Sequence, residues 1–120
     1  MVNILTPPPP KVLAYLITNH FLSALFSIMV IITLQQIIDE RISFLKEQIN
    51  PNNKPEINST FQIQIEAIRS IDDYTKDKVE AQITQKKSLL KNSRDVHESE
   101  RLFDELDGLE WLQRQIARYS

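Results

Sequence analysis

The chain has 120 residues, with 14 Lys+Arg, 16 Asp+Glu, one glycine and no cysteine. Its length predicts one domain at most, and the lack of cysteine excludes disulfides and thiolate metal sites. The nearly balanced charge argues against a nucleic-acid-binding face and against a polybasic lipid-binding patch. Because turns and bulges in sheets need glycine, its scarcity favours helices throughout.

The first segment, residues 1–10, is a proline-rich tail that ends in the run Pro7–Pro10. Proline fixes φ and has no N–H, so this run predicts polyproline II conformation and a stiff lead into the helix that follows. The P-x-x-P spacing also fits a ligand for an SH3- or WW-like groove. No flanking arginine supports that second role.

The next segment contains the most apolar stretch of the chain, and residues 12–38 include no Asp, Glu, Lys or Arg. As a helix, residues 12–34 are long enough to cross the roughly 30 Å hydrocarbon core of a bilayer. The run is longer than the apolar region of a signal peptide, and no small-residue cleavage site follows it. A buried core helix is disfavoured because the remaining chain is too short to cover all its sides. We therefore expect a single transmembrane helix.

The same helix is predicted to continue as an amphipathic stem, so that residues 11–50 form one element. Apolar residues recur at spacings of three and four after Leu34, and charged residues lie between them. The end is expected at Asn50, because the residue before a proline is pushed out of the α region. The apolar positions of this stem are Ile38, Ile42, Leu45 and Ile49.

Two extramembrane helices are predicted after a linker at residues 51–60, and together they make up the segment 61–120. The first is expected from Phe61 to Lys91 with Ser59 or Thr60 as its cap. The second is expected over residues 96–119, with a kink at Gly108 because mid-helix glycine is unfavourable. Their apolar stripes are Phe61, Ile65, Ile68, Ile71, Val79, Ile83 and Leu90, and then Leu102, Leu106, Leu109, Leu112 and Ile116. The expected fold is thus an all-α membrane protein.

Four polar residues lie at depth in the predicted span, at Asn19, His20, Ser23 and Ser27. At about 100° per residue they share one sector of the helix. Unsatisfied polar groups are costly in hydrocarbon, and the two serines form a small-xxx-small pair that lets another helix approach closely. We expect this face to pack against partner helices and the opposite face to contact lipid.

His20 is the sharpest candidate for chemistry, because ionisable residues inside a membrane are often functional. It could bind a haem iron or join a proton relay, but another chain would have to supply the second ligand or relay partner. The alternative is a neutral histidine that is hydrogen-bonded to a neighbouring helix. His97 lacks metal-ligand spacing, and the sequon at Asn58 is treated as incidental. No catalytic motif is found, so we predict no enzyme activity, cofactor, metal or small-molecule substrate.

The layout of the whole chain resembles single-span supernumerary subunits of respiratory-chain complexes, although no family motif carries the resemblance. It implies a structural accessory subunit of a multi-subunit membrane complex, in the mitochondrial respiratory chain or ATP synthase, with other membrane-protein subunits and lipid as partners. The alternative is a bacterial or phage bitopic assembly factor that acts through helical self-association. A third reading is a redox or proton-transfer protein that uses His20.

Overall fold

The computed structural model describes the backbone of residues 10–119 and the side chains of residues 17–119. It consists of four helices: α1 (Pro10–Gln48), α2 (Pro55–Arg69), α3 (Lys76–Asn92) and α4 (Val96–Tyr119). No strand occurs in residues 10–119, so the prediction of an all-helical chain is confirmed. The predicted polyproline conformation of the tail lies outside the described residues.

The chain divides into two compact units, and the division falls within α1, after Thr33. In the first unit every described side chain from Ile17 to Met29 is exposed. Within α1, residues Ile17–Gln48 include a stretch that is long and apolar enough to cross a membrane, and only 6% of that stretch is buried in the molecule. That low value separates it from the core helix of a globular protein, whose apolar side chains are covered.

The second unit, from Leu34 onward, contains the hydrophobic core. Helix α4 is its centre, because both α2 and α3 pack against α4. The C-terminal part of α1 contributes Ile38, Ile42 and Leu45, which are three of the four apolar positions predicted for the stem; the fourth, Ile49, follows the end of α1 and is partly buried. The five stripe residues predicted for α4 are also all buried. The remaining buried apolar side chains are Ile65, Ala67, Ile68, Ile71, Val79 and Ile83.

The prediction of one helix from Phe61 to Lys91 is wrong, because α2 ends at Arg69 and α3 begins at Lys76. The intervening loop contains Asp72, Asp73 and Thr75. Their short polar side chains compete for backbone hydrogen bonds and so disfavour a helix interior. The unit therefore has three helices after the linker rather than two, although the predicted stripe residues Ile65, Ile68, Val79 and Ile83 are buried as expected.

The start of α2 also differs from the prediction. The helix begins at Pro55, inside the segment predicted as a linker, and Lys54 rather than Ser59 or Thr60 is its N-cap. Proline suits the first position of a helix, because its fixed φ is helical and its missing N–H has no partner there. Pro55 thus begins the helix instead of lying within a linker.

Gly108 does not divide α4, which continues from Val96 to Tyr119. The glycine faces α2 instead. A Cβ at this position would lie 3.0 Å from the backbone oxygen of Gln64 and 3.3 Å from its Cα. Gly108 therefore lets the backbones of α2 and α4 approach each other closely, which a larger residue would prevent.

Replacing Gly108 with valine tests this close approach. The added side chain meets backbone rather than a flexible side chain, so we expect a loss of about 1–3 kcal/mol in the free energy of unfolding. Asp107→Val is the matched control, because Asp107 is an exposed neighbour on the same helix. Thermal unfolding of the detergent-solubilised chain, followed by circular dichroism, measures both. Equal midpoints for the two variants would contradict the role assigned to Gly108.

Candidate interaction surfaces

The polar face predicted for the membrane span lies on the first unit of α1, where Asn19, His20, Ser23 and Ser27 are all exposed. Within this face the Ser27 hydroxyl donates a hydrogen bond to the Ser23 carbonyl oxygen at 3.1 Å. Serine can satisfy its hydroxyl within its own helix in this way. Ser27 therefore needs no partner helix for its hydrogen bond, whereas the close helix approach predicted from the Ser23 and Ser27 pair does not depend on that bond.

A cluster of asparagine side chains fixes the connection between α1 and α2. The Asn58 Nδ2 group donates to the Asn50 carbonyl at 2.8 Å, and the Asn50 N–H donates to Asn58 Oδ1 at 3.2 Å. Asn53 Nδ2 donates to Asn58 Oδ1 at 3.0 Å and to the Gln48 carbonyl at 2.8 Å. The connection is therefore a turn in which asparagine side chains form hydrogen bonds with backbone groups of the turn.

This cluster also bears on the sequon, whose acceptor asparagine is Asn58. The residue lies inside α2, and its amide nitrogen already donates to a backbone carbonyl. An amide held in a helix and in an intramolecular hydrogen bond is poorly placed for glycosylation, which favours exposed loops. The structure of the turn thus gives Asn58 a local role that needs no glycan.

Asn58→Ala removes the acceptor and donor that join the two ends of this turn. We expect the free energy of unfolding to fall by about 1–2 kcal/mol, because the partner groups of Asn50 and Asn53 lose their hydrogen bonds. In Asn52→Ala the loss should stay within about 0.5 kcal/mol, since Asn52 contributes only its backbone N–H to the turn. Urea unfolding in mild detergent compares the two, and a similar loss in both would contradict the role of Asn58.

An open cleft of about 620 Å³ lies between the N-terminal parts of α2 and α4. Two of its lining residues are joined, because the Thr60 hydroxyl donates to Asp104 Oδ2 at 3.3 Å. Phe103, which is 57% exposed, also lines the cleft. His97 also lines the cleft, but no group of three or more His, Asp or Glu side chains in residues 17–119 could hold a metal ion. The cleft therefore has no side-chain cluster that could bind a metal ion within this part of the chain.

Burial raises the pKa of the Asp104 carboxyl above its ordinary value, and the charges of Asp107 and Glu100 act in the same direction. The hydrogen bond from Thr60 opposes the shift. Because the pKa is higher in the folded state, protonation of Asp104 favours folding. The stabilisation of the fold by protonated Asp104 is fully present below the ordinary pKa of the carboxyl and is lost as the pH rises through the raised pKa.

Asp104→Asn makes this pH dependence measurable. The amide oxygen can still accept from Thr60, but the half-buried negative charge is gone, so we expect greater stability than wild type at neutral pH. The difference should shrink as the pH falls through the raised pKa, where the wild-type carboxyl becomes neutral. Melting temperatures across an acidic to neutral pH series measure it, with the exposed Asp72→Asn as control. A constant difference between wild type and Asp104→Asn at all pH values would contradict this account.

A cation–aromatic cluster in the second unit was missed by the sequence analysis. The Arg41 guanidinium carbon lies 5.3 Å from the centroid of the Trp111 ring and 5.4 Å from that of Phe44. The pair Arg41 and Phe44 could have been found from their spacing of three on one helix. The contact with Trp111 joins α1 to α4 and depends on tertiary packing, so no local signal predicts it.

The chain matches no protein-family model, no curated protein and no solved structure. Its function is therefore inferred from its own residues and from the surfaces described above.

Proposed function

We propose that this chain is a single-pass membrane protein and a non-catalytic accessory subunit of a multi-subunit membrane complex. The observation that carries the proposal is the exposure of the apolar first unit. Large side chains such as Phe21, Phe26 and Ile31 are 65–69% exposed on this part of α1. An apolar helix without intramolecular cover needs lipid or other protein chains around it.

The second unit supports an accessory role because it is a folded body with its own core. Fourteen apolar side chains are buried in its described residues. Eight of them lie on α1, α2 and α3, at Ile38, Ile42, Leu45, Ile65, Ala67, Ile68, Val79 and Ile83. A body of this kind can cover part of a larger subunit while α1 holds it at the membrane. Such a role requires surfaces rather than a catalytic cleft.

The alternative proposal, a bitopic assembly factor that self-associates through its extramembrane helices, has less support. A homotypic coiled coil needs an apolar seam that is available to another copy. The stripe of α4 is buried within the chain, and Leu109 and Leu112 have no exposed surface. Self-association would have to use other side chains or would require the unit to open.

The respiratory chain or ATP synthase of the mitochondrial inner membrane is our specific proposal for the complex. It rests on the resemblance of layout: a short tail, one span and an extramembrane helical part. The balanced charge agrees with a protein-covered location rather than a nucleic-acid or polybasic membrane role. The partners are then neighbouring membrane subunits, which contact the face of α1 that carries Asn19, His20 and Ser23.

Native gel electrophoresis after mild detergent solubilisation tests the proposal, with the co-migrating chains identified by mass spectrometry. We expect the chain to migrate with a large oxidoreductase or ATP synthase. Migration as a small homo-oligomer would instead support the self-associating assembly factor.

Replacing His20 with leucine tests the alternative of a redox or proton-transfer protein that uses this residue. Haem absorbance and turnover of the complex are measured in the variant, and both stay unchanged if His20 only packs against a neighbouring helix.

The double variant Asn19→Leu/Ser23→Leu tests the partner face in the same gel. Removing both polar side chains abolishes any hydrogen bonds with partner helices, each worth about 0.6–2 kcal/mol in membranes, and enlarges the Ser23 position. We expect a clear loss of the chain from the large complex. Ile17→Leu/Ile28→Leu is the control on the predicted lipid face and should migrate as wild type. Equal migration of both variants would contradict the assignment of the face.

A further inference from the structure

We propose that Arg41, held against Trp111 and Phe44, is a binding site for the phosphate of an anionic lipid headgroup. The site is built from α1 and α4 within the second unit. Both rings lie within the distance of about 6 Å at which an aromatic face attracts a cation. Two rings on different helices fix the guanidinium more firmly than a single exposed contact would. The inference rests on the proposal that α1 crosses a membrane.

Arg41 has no carboxylate paired with it in the part of the chain that the structure describes, although Asp39 and Glu40 precede it directly on α1. Those two acids instead accept hydrogen bonds from Gln35 and Gln36, at 3.0 and 3.3 Å. On α4, the neighbour of Trp111, Glu110, pairs with Lys87 at 3.7 Å. The nearby acids are thus directed to other partners, and none of them forms an ion pair with the guanidinium.

The hydrogen-bonding capacity of Arg41 is also unmet. Its Nε atom is buried and has no acceptor within hydrogen-bonding distance in the part of the chain that is described. Burying a charged donor without an acceptor is unfavourable, and such groups in native proteins point to an ion, a water or a function. The residue as a whole is half-buried, so part of its side chain reaches the surface. An anion at that surface would offset the cost of the buried charge.

The chemistry of the ligand follows from the guanidinium. Its planar fork of donors matches the oxygens of a phosphate, and it is less strongly hydrated than the ammonium of lysine. A lone arginine on an aromatic platform is also distinct from a polybasic patch, which attracts a membrane surface without a fixed geometry. The site therefore fits one phosphate group held in one place.

The position of Arg41 along α1 makes a lipid the source of that phosphate. The uncharged stretch ends before Asp39, and its most apolar part ends at Leu34. Arg41 follows Leu34 by seven residues, which is about 10 Å along a helix. Headgroups occupy the layer just outside the hydrocarbon core, and tryptophan is enriched there. Arg41 and Trp111 are thus at the depth at which a lipid phosphate is found.

Trp111 gives a direct readout, because it is the only tryptophan in the chain. The full chain is reconstituted into phosphatidylcholine vesicles that contain phosphatidylglycerol, with bromine on the acyl chains of one lipid or the other. If phosphatidylglycerol is enriched at the site, the brominated form will quench Trp111 more than brominated phosphatidylcholine does at the same mole fraction. We expect Arg41→Gln to lose this excess quenching, and Arg41→Lys to retain only part of it.

Lys46→Gln is the matched control, because it removes an exposed positive charge from the same helix without touching the aromatic rings. Lys46→Gln should keep the excess quenching of Trp111 by brominated phosphatidylglycerol. Equal quenching by both lipids in wild type, an excess retained in Arg41→Gln, or an equal loss in Lys46→Gln would each overturn the proposal. Loss of the excess on adding inorganic phosphate would identify a free-phosphate site and overturn the lipid assignment. Vesicle flotation separates the two proposals: a chain that does not float contradicts the membrane span itself.

Discussion

Burial of the apolar stripe of α4 is the constraint on which the second unit depends. Leu109 and Leu112 are completely covered, and α2 and α3 both pack against this one helix. Burying a leucine side chain stabilises a fold by roughly 1.5–3 kcal/mol, which makes such a stripe the largest stabilising term in a small unit. The close approach at Gly108 belongs to the same contact, because it brings α2 near enough to cover α4. Removing either α2 or α3 would leave one side of α4 in water.

Polar contacts then determine how the helices are aligned around α4. Lys86 on α3 lies 2.8 Å from Glu105 on α4, and both side chains are mostly buried. Glu105 also accepts from Arg101 at 3.1 Å, so its charge is held by two cations. Thr60 and Asp104 make the corresponding contact between α2 and α4. These groups contribute alignment more than stability, since desolvation offsets much of the gain from partly buried ion pairs.

The sequence predicted the core better than it predicted the helix ends. Apolar residues at spacings of three and four identified the buried positions of α1 and α4, because burial on one side of a helix requires that spacing. Helix ends depend on weaker local preferences, so neither the start of α2 at Pro55 nor the loop around Asp72 was predicted. Gly108 and the contact of Arg41 with Trp111 depend on which helices meet in space, and no local pattern contains that information. The candidate face at Asn19 was predictable, but the internal hydrogen bond of Ser27 emerged only with atomic positions.

The central claim is that lipid or partner chains cover the first unit of α1, and the cysteine-free sequence permits a direct measurement. Single variants Phe26→Cys and Glu47→Cys are treated in intact membranes with a membrane-impermeant maleimide. Phe26 is 69% exposed in the isolated chain, so water alone would leave it reactive. The account predicts rapid labelling of the cysteine at 47 and labelling of the cysteine at 26 only after denaturation. Equal labelling of both in intact membranes would contradict it.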